Sequence, residues 1–343
     1  MSINNKDKNR LKKSKSKTET KDIITRICAV LKQGNKSITE VAKSAYINWE
    51  TAQNYLNTLT EAGILEKQTQ GKKIIYILLQ KQENTLFGLP LDKNKQNITN
   101  YIFSKIKQKY KKLHNKEPTR TYIQKTTTEV IKQSKLDIPI VWYLYGQMCV
   151  QLYSEDKEYK YEKFDGMKEI DNAINKSWIY DNKNTKEIHE EQYLNNPLYS
   201  AKEKLYWQLK NMKNREIFQK EFMFFFGQAI KYNIDENDEV SNVLTDYLSI
   251  IIRLDKEGNL QNSKARELFD EIWRFIALKV AFNDLKKDYS KEILNYLMNN
   301  RIDEQRTIMY ELFSRIFDSF KPLDVDPRLK ELQKQVKTKK SAK

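Results

Sequence analysis

Between Ser37 and Leu78 the sequence sets two helix starts, a tight turn, a helix stop and a strand pair so close together that few folds accommodate them all. Ser37-Ile38-Thr39-Glu40 is a capping box, in which the hydroxyl accepts from the amide three residues on while the carboxylate reaches back. It opens a short helix through Ser44. After the turn Ala45-Tyr46-Ile47-Asn48, Asn48 caps a longer helix from Trp49 to Ala62, whose Ala52, Leu56 and Leu59 share one face. Gly63 stands where a left-handed C-terminal cap is wanted. Ile64 to Thr69 and Lys72 to Leu78 then read as two strands around Gln70-Gly71. Upstream, Ile23, Ile24, Ile27, Val30 and Leu31 recur at helical spacing, and that pattern stops near Gly34.

Helix, helix, tight turn, helix, hairpin is the order of a winged helix-turn-helix, which places such a domain at residues 22–80. The stretch Ser37 to Leu65 resembles the MarR and ArsR regulator families, including their ending L-x-x-A-G-I-L, here Leu59 to Leu65. This resemblance implies a fold that lays its third helix in the major groove of duplex DNA. Where many relatives have arginine and histidine early in that helix, Asn54 and Tyr55 stand here.

Such a helix turns Glu50, Thr51, Gln53, Asn54, Asn57 and Thr58 away from its apolar stripe. A carboxamide accepts from N6 and donates to N7 of adenine, so an amide-rich face without arginine predicts readout biased to A·T pairs. Lys67, Lys72 and Lys73 of the wing are placed for phosphates or the minor groove, where they would position the protein without reading sequence.

Charge is distributed in keeping with a polyanionic partner. The chain of 343 residues has 62 Lys and Arg against 46 Asp and Glu, a formal net charge of +16. The excess is clustered at residues 1–21, 81–135 and 328–343, while the middle of the chain is mildly acidic. The first and last of these clusters have few apolar residues and read as a disordered basic arm (1–21) and tail (327–343). No apolar run reaches the roughly 20 residues that span a bilayer, and no secretory signal is evident at the start, so a cytoplasmic, nucleoid-associated protein of a prokaryote is expected. Cys28 and Cys149, each within an apolar pattern, read as buried free thiols. Only His114 and His189 offer imidazole, and no Cys/His spacing suits zinc. With 8 glycines and no phosphate-cradling loop, no metal, cofactor or enzymatic activity is expected.

Beyond a polar linker at 81–96 the rhythm is helical, giving a large all-α region over 97–326 and a mainly α fold class. Helices are expected at about 97–114, 119–134, 139–153, 166–178, 198–213, 215–232, 238–254, 263–285 and 289–319. The helix from Ile98 to Leu113 rings Tyr101, Ile102, Ile106, Tyr110 and Leu113 with lysines, which reads either as an extra DNA contact or, preferably, as the seam of a homodimer. Phe218, Phe222, Phe225 and Phe226, and later Leu268, Ile272, Phe275 and Ile276, indicate that the C-terminal half builds its own core for dimerisation or a protein partner. The expected function is a sequence-specific double-stranded DNA-binding transcriptional regulator. The rivals are a replication or maintenance factor of a mobile element and a winged-helix protein-interaction module.

Overall fold

The computed structural model describes residues 22–61, 64–71, 73–78, 84–177, 183, 185–211, 215–232, 239–256 and 263–318. The basic arm and tail, Ala62, Gly63 and Lys72 lie outside the described residues. The chain divides into two compact units: one of residues 1–139, 149–177 and 285–299, the other of 140–148, 178–284 and 300–343.

The first unit begins with a helix over residues 22–32 (α1), whose Ile24, Ile27, Cys28, Val30 and Leu31 are buried. A two-residue strand Lys36–Ser37 (β1) leads into α2, Ile38–Ser44, then α3, Trp49–Glu61. The hairpin is β2, Leu65–Gln70, and β3, Lys73–Leu78, in register from Leu65 opposite Leu78 to Gln70 opposite Lys73. β1 adds antiparallel to the other edge of β3, so the sheet order is β1-β3-β2. The local chemistry explains the boundaries. Ser37 and Glu40 form both halves of the capping box, and Asn48 Oδ1 accepts from the Thr51 amide at 2.7 Å as the cap of α3. Gly71 bends the hairpin with φ +62. Ala52, Leu56 and Leu59 are fully buried, so each leucine contributes roughly 1.5–3 kcal/mol by leaving water.

The expected linker is anchored from Asn84 on. Leu86, Phe87, Leu89 and Leu91 are buried, the Leu86 amide donates to the Val150 carbonyl at 2.7 Å, and Thr85 bridges to Gln151. Apolar residues spaced within a polar context hid this packing from a composition-based reading. Helices α4, Lys93–His114, α5, Arg120–Gln133, and α6, Met167–Lys176, pack against one another in the same unit. Tyr101, Ile102, Ile106 and Tyr110 of α4 are buried there, with Tyr101 edge-on to Tyr161 and Phe164. The apolar line expected to be a dimer seam is therefore spent on the core of its own chain, and only Leu113 of that line stays exposed.

The second unit holds α7, Thr185–Leu194, α8, Pro197–Asn211, α9, Arg215–Tyr232, α10, Glu239–Lys256, α11, Ser263–Leu285, and most of α12, Lys291–Asp318. Its core is aromatic: Tyr199 sits against Trp142 and Trp273, and Phe225 against Phe269 and Trp273. Phe218, Phe222, Phe225, Leu268, Ile272, Phe275 and Ile276 are buried, as their spacing predicts. Lys279 and Arg306 both pair with the Glu239 carboxylate, tying α10, α11 and α12 together.

One expected helix is absent. Within residues 139–153 a hairpin stands instead, β4, Ile140–Tyr143, and β5, Gly146–Cys149. The β-branched pair Ile140-Val141 followed by Trp142-Tyr143 favours a strand, and Gly146 takes φ +97, which a helix cannot use. The Trp142 amide donates to Asp284 and Trp273 Nε1 donates to the Leu144 carbonyl, so α11 holds the hairpin in place. The fold is mainly α nonetheless: an N-terminal winged helix followed by a helical region that this one hairpin interrupts among the described residues.

Candidate nucleic-acid interface

Helix α3 presents its polar residues as the spacing requires, but not equally. With 3.6 residues per turn, the direction opposite Ala52, Leu56 and Leu59 is occupied by Glu50, Asn54, Asn57 and Glu61. Glu50 and Asn54 are exposed, whereas Thr51, Gln53, Asn57 and Thr58 are partly covered, Gln53 and Thr51 lying on opposite flanks of the stripe. Thr58 spends its hydroxyl on the Asn54 carbonyl at 2.9 Å, which removes its donor from the outer face.

The wing lysines behave differently from one another. Lys67 Nζ donates to Asn57 Oδ1 at 2.7 Å and lies over the Tyr76 ring, 5.7 Å from its centroid. This clamps the wing to α3 and occupies one of the two acceptor positions of Asn57 Oδ1, which restricts the orientation in which that carboxamide can meet adenine. Lys73 is exposed at the start of β3. The Glu40 carboxyl is held below its usual range, chiefly by the hydrogen bond from the Ser37 side chain, then by the Ser37 amide, with Lys36 and Lys73 adding attraction. Lys72 lies outside the described residues.

Two aromatic side chains join the site that motif reading treated only as turn and helix start. Tyr46 is 88% exposed and Trp49 50% exposed, bracketing the turn into α3. Tyr46 takes φ +55, a conformation that costs a bulky residue about 1 kcal/mol. Arg26 steadies this turn, its Nη1 donating to the Ala45 carbonyl at 2.7 Å while it pairs with Asp22 at 3.0 Å. The available signal was the pattern Tyr46-Ile47-Asn48-Trp49, two large aromatics beside a cap with no core position to fill.

Electrostatically, α3 is acidic. It carries Glu50 and Glu61 and no lysine or arginine, so the reading face contributes no attraction to phosphate. A glutamate on such a face could accept from cytosine N4, and a cation for the phosphate backbone would have to come from another element.

Residues 17–86 match a family profile described as winged helix-turn-helix. No curated protein and no solved structure matches the chain. The N-terminal segment thus carries a winged helix-turn-helix domain, which indicates DNA as its partner.

Proposed function

We propose that this protein is a sequence-specific reader of duplex DNA, a transcriptional regulator of the MarR and ArsR kind, with α3 in the major groove. One observation carries the reading: a capped helix, propped on α2 and the wing, holds Glu50 and Asn54 exposed on its outer face with Gln53 at the flank. An exposed carboxamide suits adenine and an exposed carboxylate suits cytosine, each good bidentate pair being worth about 1–3 kcal/mol of discrimination. Neither depends on the phosphate backbone, so affinity and specificity come from separate residues.

The test is selection of bound duplexes from a randomised library by the full chain, followed by mapping of its occupancy across the chromosome of its host. The expected outcome is a consensus rich in A·T pairs found at promoters. Enrichment of no sequence would overturn the reading, and occupancy of a single locus would mark a replication or maintenance factor instead.

A further inference from the structure

The lysines of α4 fall into two sets on different faces. Lys107 and Lys111 both pair with Glu117, at 3.5 Å and 2.9 Å, and that carboxyl is held below its usual range, chiefly by the bond from Lys111. Lys105, Lys109 and Lys112, spaced at four and three, share the other face with Gln108. There they line an open cleft of about 370 Å³ completed by Asp171, Ile174 and Asn175 of α6. Lys109 Nζ donates to Asn175 Oδ1 at 2.6 Å, and Lys105 lies 5.4 Å over the Tyr101 ring, so both ammonium groups are held at the rim rather than free to sweep. The one carboxylate in the cleft, Asp171, accepts the Tyr101 hydroxyl at 2.6 Å.

We propose that this α4–α6 cleft grips the phosphate backbone of duplex DNA, as a site separate from the reading helix. The inference rests on the DNA-binding reading above and supplies what that reading lacks. Helix α3 contains no cation, yet duplex affinity comes mainly from lysine and arginine replacing condensed counterions. Apart from Leu113, the apolar line of α4 is buried within its own unit and is not presented as a seam. Three lysines beside the amides of Gln108 and Asn175 offer charge and hydrogen-bond donors suited to phosphate oxygens.

The test compares the full chain with its Lys105→Gln/Lys109→Gln/Lys112→Gln form and with a control, Lys210→Gln/Lys220→Gln/Lys231→Gln, that removes the same charge from exposed positions of the second unit. Binding to a mixed-sequence DNA duplex is measured by fluorescence anisotropy over a range of salt concentrations, and circular dichroism checks that each protein is folded. Each lost phosphate contact lowers the slope of log K against log salt by about 0.9, so the cleft variant should lose about 2 to 3 in slope and roughly a hundredfold in affinity at low salt. The control should keep most of both. A cleft variant with the slope of the wild type, or no worse than the control, overturns the proposal. So does a variant that loses binding to phosphatidylserine vesicles while keeping its grip on duplex, since the cleft would then serve a lipid surface. If Asn54→Ala still impairs specific binding while the cleft variant is unchanged, only this inference fails. If the wild-type chain binds no duplex, the DNA-binding reading fails with it.

Discussion

Single side chains decide which polar groups α3 can offer to DNA. Asn54 alone among the amides of α3 is exposed with no side-chain bond holding its carboxamide among those described, whereas the Asn57 carboxamide oxygen accepts from Lys67. The sequence pattern made both equivalent, because spacing gives direction around a helix but not the partner that a neighbouring hairpin supplies. Tyr46 shows a second residue-scale tension, a large side chain held in left-handed backbone at the turn into α3. Tyr46→Gly should relieve that conformation and raise stability by up to about 1 kcal/mol, while lowering DNA affinity through loss of an exposed ring beside α3. Urea denaturation and duplex titration of the same variant check both halves. A variant that is less stable, or that binds DNA unchanged, contradicts the assignment.

At the scale of elements, caps and periodicity were the readable signals. The capping box at Ser37, the Asn48 cap and the apolar triad of α3 carry the winged helix, and helices such as Arg215–Tyr232 and Ser263–Leu285 fall where their three-and-four spacing places them. Two features escaped. Helix Thr185–Leu194 has a weak apolar pattern, and residues 139–153 have apolar density without a period that separates strand from helix. The second can be decided by one substitution with opposite signs in the two conformations. Gly146→Ala in a helix interior would add about 1 kcal/mol of stability, but at φ +97 in the β4–β5 hairpin it should cost about 1–2 kcal/mol. Chemical denaturation measures the sign, and a stabilised variant would rule out the hairpin.

Over the whole molecule, the sequence indicated where charge and helices lie but not what the helices cover. Spacing showed that α4 is amphipathic; that its apolar side meets α5 and α6 instead of a second copy depends on long-range packing that no local pattern records. Long-range packing also buries Lys125 in α5, and desolvation pulls its ammonium from 10.5 down to about 7. The unfolded chain keeps this proton between pH 7 and 10.5 while the folded chain has lost it, so the group makes stability rise with pH across that window. Below about pH 7 both states are charged, and the full cost of the buried ammonium is borne. Lys125→Met should remove a rise approaching about 1.4 kcal/mol per pH unit, read as the difference between variant and wild-type denaturation profiles. Parallel profiles would contradict it. Whether α3 reads bases while other elements hold the backbone is decided by a Gln53→Ala/Asn54→Ala double variant titrated against a selected site and against unrelated duplex. The expected loss is about tenfold or more on the selected site with unrelated duplex bound as before; equal losses on both would show that α3 reads no bases.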